Sequence, residues 1–146
     1  MKRTNFLVLA FVLSLAVNIA GAATAQPADR DHPTALKSNE IQGDLNGSGA
    51  ESFYSFVAEP GELTITVDVK SSDGTAGINF ELLGNNAATA IICCEFAQAD
   101  STGQSGRDVK TVKLRSRQRV ILHLTQFNYG KGTFRVRLSG AASYEK

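Results

Sequence analysis

The run Leu63-Thr64-Ile65-Thr66-Val67-Asp68-Val69 alternates apolar and polar residues without a break. A side-chain period of two belongs to a strand with one face on a core and the other toward water. A helix would need apolar positions every three or four residues. The stretch 41–69 shows the same habit twice more, with Ile41 and Leu45 on one side and then Tyr54 and Phe56. Asn46-Gly47-Ser48-Gly49 and Glu59-Pro60-Gly61-Glu62 fall between these runs, and such residues favour turns. The pattern predicts strands over 40–45, 52–57 and 63–69.

The rest of the chain follows suit. Strands are predicted over 78–83, 88–96, 109–115, 120–125 and 133–139. Ser71-Ser72-Asp73-Gly74, Gly84-Asn85-Asn86, the polar stretch 98–107, Arg117-Gln118 and the Asn/Gly-rich stretch 127–132 separate them. The segment 88–96 is apolar on both sides, which predicts a central strand. No segment past residue 25 carries ten or more residues of helical period. The expectation is an all-β fold: an eight-stranded antiparallel β-sandwich, jelly-roll-like.

The first 25 residues are set apart from the fold. Lys2 and Arg3 precede an apolar run from Phe6 to Ala20, and Ala23-Thr24-Ala25 offers small residues for cleavage. This is the pattern of a secretory signal peptide over 1–25. The run is shorter than the ~20 residues that span a bilayer. The 121 residues that follow make one domain, with 13 basic and 14 acidic residues. A chain of that size buries roughly two-thirds of its unfolded surface, so it needs no metal or disulfide to fold. Residues 26–38 are polar, hold two of the three prolines and show no period, and are expected to form a flexible leader. The sandwich domain then covers 39–141, with a tail over 142–146. Export places the protein in the periplasm or outside the cell. Asn46-Gly47-Ser48 is also a glycosylation sequon, relevant only in a eukaryotic secretory pathway.

The only cysteines, Cys93 and Cys94, are neighbours, so they cannot staple distant strands. On a regular strand one thiol would face the core and the other solvent. The plain reading is two thiols filling small spaces. A disulfide between the neighbours, and intermolecular or redox chemistry, stay open.

Several of these patterns together resemble a known family. Ile41-x-Gly43-x-Leu45, Tyr54-x-Phe56, Pro60-Gly61-x-Leu63-Thr64-Ile65-x-Val67 and Gly132-x-Phe134-x-Val136-x-Leu138 are similar to the bacterial pre-peptidase C-terminal domain family. The collagen-binding domains of clostridial collagenases belong to that family, and Asp44-Leu45-Asn46-Gly47-Ser48 resembles their segment. The resemblance spans nearly all of 40–140. It implies a jelly-roll sandwich of the kind appended to exported enzymes, here expected as a stand-alone version. Calcium-binding relatives carry acidic residues where this chain has Gly49 and Ser52, with only Glu51 nearby. Calcium takes six to eight oxygen ligands, so calcium is not supported at the relatives' positions and no cofactor is expected. Asp44, Glu51 and Asp68 are the residues left for a different ion site. Collagen-binding relatives use aromatic residues on the late strands, where this chain has Arg119-Val120-Ile121-Leu122-His123-Leu124. Collagen binding is therefore not carried over.

No catalytic motif stands out. The sequence has no His-Glu-x-x-His, no Gly-rich phosphate loop and no Gly-x-Ser-x-Gly. His123 is the one histidine within the expected fold, and reads as an outward polar residue. The expectation is a protein that is not an enzyme.

Charge order is uneven. Residues 26–106 hold three basic and twelve acidic residues, whereas 107–137 hold nine basic residues and one acid, Asp108. Lys113 and Arg115 fall opposite Val112 and Leu114, and Arg135 and Arg137 fall opposite Phe134, Val136 and Leu138. Lys113, Arg115, Arg117, Arg119, Arg135 and Arg137 are therefore the candidate ligand-binding residues. Two readings follow. A basic face would bind a polyanion or glycan at the envelope or outside the cell. Alternatively these charges pair with acidic early strands, and the domain is structural or assists a separate secreted enzyme. Nucleic acid is not expected, since no aromatic residues interleave the arginines.

Overall fold

A computed structural model describes residues 29–46 and 49–144. The expected signal peptide over 1–25, and Gly47 and Ser48 of the sequon, lie outside the described residues. Among the described residues no helix is long and apolar enough to cross a membrane. The chain forms β1 (Thr34–Ala35), β2 (Glu40–Asn46), β3 (Glu51–Ser71), β4 (Ala76–Leu83), β5 (Ala90–Ala99), β6 (Ser105–Leu114), β7 (Gln118–Phe127) and β8 (Lys131–Ser143).

β3 organises the rest. Its first part, 51–58, pairs with β7, and its second part, 61–70, pairs with β6. β8 takes the other edge of the second part, and β1 pairs in parallel with Tyr54 and Ser55 of the first. The strand order thus reads as two layers joined through one long strand. The first layer is β6-β3-β8-β2 and the second is β1-β3-β7-β4-β5. Apart from β1, every pairing is antiparallel. The fold is an all-β sandwich.

The expected turn at Glu59-Pro60-Gly61-Glu62 is instead a bend inside a strand of 21 residues. The β3–β8 register shifts between Ala58 and Leu63. Pro60 has no N–H to give to a ladder, and Gly61 takes φ 135, which L side chains rarely adopt. These residues interrupt the ladder while the chain stays extended. That merges two predicted strands, and β1 restores the number to eight. β1 lies in the stretch read as a flexible leader: the Leu36 N–H donates to the Ser55 carbonyl at 2.8 Å, and the Leu36 side chain is buried. At the other end β8 runs on to Ser143, and Ala142 and Tyr144 pack against the core.

The segment read as a central strand is at the end of the order, as β5. Its double-sided apolarity has another cause. An extra residue at Cys93–Cys94 reverses the alternation midway, so Ile92 and then Ala97 and Ala99 face the core. β5 also lies close to β6. A Cβ on Gly106 would fall 1.6 Å from the Gln98 carbonyl oxygen, so only glycine fits there. Lys110 Nζ meets Glu95 Oε1 at 2.6 Å across the same side.

The core lies between the layers. Leu63, Ile65, Val67 and Val69 of β3 face Phe80 and Leu82 of β4 and Val120 and Leu122 of β7 in one cluster. Full burial of a side chain of this size stabilises the fold by about 1.5–3 kcal/mol. A second, smaller cluster of Phe53, Leu83, Ala87 and Ile121 sits on the outer face of the second layer. The 84–89 connection bends over that face to supply Ala87, which takes φ 52.

Candidate functional site

The six candidate basic residues are not brought to one face. Lys113 and Arg135 are exposed and Arg137 half-buried on the outer side of the first layer, opposite buried Leu114, Phe134, Val136 and Leu138. Arg115 and Arg117 lie in the β6–β7 connection at one end of the sandwich. Arg119 is on the second layer, where its Nη2 donates to Ser55 Oγ at 3.1 Å.

Most of these cations have carboxylate neighbours. Asp68 meets Arg137 at 2.8 Å and Arg107 at 3.5 Å. Glu40 meets Arg135 at 3.5 Å, and Glu59 meets Arg117 at 3.0 Å. Lys113 stands opposite Glu62 in the β3–β6 register. Asp68 and Glu40 come from the acidic half of the sequence, so antiparallel pairing lays the two halves of the charge order against each other. The same pairing uses up Asp68 as an ion ligand. Asp44 sits on β2 of the first layer and Glu51 on β3 of the second, so the three acids considered for an ion do not form a cluster.

The outer face of the second layer is different. Phe53 pairs with His123, which pairs with Glu81; Glu51 pairs with Thr125, which pairs with Asn79, which pairs with Phe96. These residues therefore form two adjacent rows across four strands. The Phe53 and His123 rings stack at 4.3 Å with their planes 3° apart. His123 Nδ1 lies 3.3 Å from Glu81 Oε2, and its Nε2 lies 3.1 Å from Thr125 Oγ1 and 3.6 Å from Glu51 Oε2.

One row further, the Phe127 ring covers Gly77. A Cβ on Gly77 would lie 2.4 Å from that ring, so a side chain there would displace it. Phe96 meets Phe127 edge-on at 5.9 Å and keeps 57% of its surface open. Asn79 is exposed and Gln98 half-buried beside this pair. Cys93 and Cys94 are joined to each other by a disulfide on the same face, and Cys93 Sγ lies 3.9 Å from Glu81 Oε1.

A histidine between a hydroxyl and a carboxylate has the outline of a hydrolytic triad. The surroundings do not complete one. β7 is paired on both sides, with β3 and with β4, through this stretch. Its amides are committed to ladders, which leaves no pair of N–H groups there for an oxyanion. Glu51 also competes with Thr125 for Nε2. The arrangement is suited to holding His123 in one orientation and presenting hydroxyl, carboxylate and amide groups at fixed spacings.

No protein-family model matches the chain, and no curated protein sequence matches it. Among solved structures it is similar to the pre-peptidase C-terminal domain of a collagenase from Bacillus anthracis. That match has 17% identity and a TM-score of 0.46, covering 78% of this chain and 98% of that domain. The domain belongs to the family that the sequence motifs resemble. The chain is also similar to a carbohydrate-binding module of Cellvibrio mixtus lichenase 5A, at 14% identity and a TM-score of 0.44, covering 73% of this chain and 91% of that one. A third similar structure is PliG of Aeromonas hydrophila, a periplasmic inhibitor of g-type lysozyme. Its identity is 16% and its TM-score 0.39, covering 80% of this chain and 96% of that one. These are likenesses of fold, and no ligand or activity comes with them.

Sequence reasoning passed over Phe53, Asn79, Glu81, Phe96, Thr125 and Phe127. The signal that could have found them is apolar content on the wrong side of a strand. Phe53 alternates out of phase with Tyr54 and Phe56, and Phe96 out of phase with Ala97 and Ala99.

Proposed function

We propose that this chain is an exported, non-catalytic binding module, and that it presents the outer face of β3-β7-β4-β5 to a glycan. One observation carries the reading: open aromatic surface beside hydrogen-bonding side chains on rigid strands. Phe96, with Phe127 at its edge, offers apolar surface to the C–H face of a sugar ring. Asn79, Gln98 and Thr125 supply both donors and acceptors, and Glu51 and Glu81 supply acceptors for hydroxyl groups. All seven sit on strands of the scaffold, which hold a site more closely than loops do. The two carboxylates favour a neutral sugar over an acidic one. Arg117, Arg135 and Arg137 give little support to the polyanion reading, since their charge is met by Glu59, Glu40 and Asp68.

Affinity gel electrophoresis against a panel of neutral polysaccharides, with heparin alongside, tests this. At least one neutral polysaccharide should retard the protein. Phe96→Ala should weaken that retardation about tenfold, equivalent to ~1.4 kcal/mol, while a double change of Arg135→Glu and Arg137→Glu leaves it unchanged. Retardation by heparin alone, abolished by the arginine changes, would return the function to the basic residues.

A further inference from the structure

β5 carries one residue more than β4 opposite it. Phe80 pairs with Glu95 and Leu82 with Ile92, so Cys93 and Cys94 together oppose Glu81. Two residues against one make a β-bulge. Cys94 takes φ 64, and both cysteines stand exposed. The bulge is coupled to the packing of the core. It sets the phase in which Ala97 and Ala99 are buried while Phe96 faces out. Without it, Phe96 and Gln98 would turn inward. The register that sets both cysteines opposite Glu81 is thus shared with the burial of Ala97 and Ala99.

We propose that reduction of Cys93–Cys94 opens a binding site for a thiophilic divalent cation of the zinc class. Its ligands are the two thiolates and the Glu81 carboxylate, whose second oxygen is met by His123 Nδ1. One ligand atom from each of Glu81, Cys93 and Cys94 lies within 4.8 Å of the other two. Cys93 Sγ is 3.9 Å from Glu81 Oε1, and Glu81 Oε2 is 3.3 Å from His123 Nδ1. Ligands bound at 2.0–2.3 Å around a tetrahedral ion lie roughly 3.3–3.8 Å apart, so the Cys93–Glu81 separation is close to one edge of such a site, and the two sulfurs part toward another once their bond is broken. Thiolates select soft and borderline cations over calcium or magnesium. His123, whose far nitrogen is 3.1 Å from Thr125 Oγ1, is the outer contact that orients the ligating Glu81 carboxylate.

The gate is chemical. A disulfide offers no thiolate. A dithiol reductant gives two electrons and two protons to the S–S bond and closes its own disulfide, leaving two thiols. The cation then displaces one proton from each thiol. Reoxidation by a disulfide-class oxidant removes two electrons, rejoins the sulfurs and releases the cation. The site is thus shut in an oxidising compartment and open in a reducing one. It shares Glu81 with the glycan reading but does not rest on it.

Cadmium titration of the whole protein tests the site, after reduction with a non-chelating phosphine. The reduced protein should bind one ion per chain, with ultraviolet thiolate-to-metal charge transfer, and cadmium should displace zinc loaded beforehand. The oxidised protein should bind none. Cys94→Ser should abolish the signal, and Glu81→Gln and His123→Asn should each weaken binding by about 10-fold or more. Binding that is unchanged in both Glu81→Gln and His123→Asn would overturn the site, as would one ion shared between two chains. The oxidised wild type serves as a control that needs no substitution, so a folding defect in Cys94→Ser does not blunt the test.

Discussion

The two outer faces of the sandwich are made from one strand grammar and end with opposite contents. On the first layer, Thr64, Thr66 and Thr111 alternate with charges that meet their opposites, and Thr64 and Thr111 share a hydrogen bond of 2.8 Å. On the second layer, a phenylalanine cluster, a stacked histidine, two carboxylates and a disulfide occupy the equivalent positions. A strongly biased charge order therefore need not make a charged face. Antiparallel pairing put the basic late strands beside acidic early ones, and the distinctive surface formed where the sequence looked merely apolar.

The largest expected break in this comparison is Phe53→Ala. Phe53 is nearly buried although it faces outward, so its loss removes a cluster and a stacking partner. The expected destabilisation is ~3 kcal/mol, read from urea unfolding. Thr66→Ala on the other outer face should stay within about 0.5 kcal/mol. Equal costs would mean that the two faces do not differ in packing.

Asp68→Asn comes next. It releases Arg137 and Arg107 together. Stability should fall by about 1 kcal/mol, the upper end for partly exposed pairs, and the protein should leave a heparin column at higher salt than wild type. Unchanged elution would mean that the arginines are already free.

Alkaline stability sharpens the picture of the core. Burial raises the pKa of the Tyr54 phenol above its ordinary value of 10.0, and burial does the same for Tyr144. Ser52 offsets the Tyr54 shift in part, although the Tyr54 hydroxyl meets no partner with hydrogen-bond geometry among the described residues. The neutral phenol is the form the fold prefers. Its contribution is complete below the ordinary value and is lost as pH rises through the raised one. Thermal stability should therefore fall above about pH 10. Tyr54→Phe should reduce that slope with little change at pH 7. A slope as steep as wild type would contradict the burial of this group.

The smallest stability effect belongs to Phe96→Ala, within about 0.5 kcal/mol, because the ring is mostly open. That makes it the cleanest substitution for binding.

Much of the fold was legible. Ile41 and Leu45, Tyr54 and Phe56, Val120 and Leu122, and Phe134, Val136 and Leu138 are all buried as their alternation requires. What was not legible had local physical causes. Pro60 and Gly61 look like a turn, but a strand that has lost partners at a bend tolerates both. Thr34 and Ala35 carry no period because two residues are too few to show one. The bulge at Cys93–Cys94 was hidden because two thiols read as apolar in either phase. The candidate site was hardly legible at all. Its residues lie on four separate strands, counting Cys93 with Phe96 and Phe53 with Glu51, and out of phase with the core. Only the register brings Phe53, His123 and Glu81 into a row.

The measurement that tests the central claim most directly is an amide-resolved NMR titration of the protein with the neutral oligosaccharide that retards it best. The account predicts that shift changes gather on β4, β5 and β7 around Asn79, Phe96 and Thr125, with β2, β6 and β8 unmoved. Changes centred on Arg135, Arg137 and Lys113 would place recognition on the first layer and contradict it.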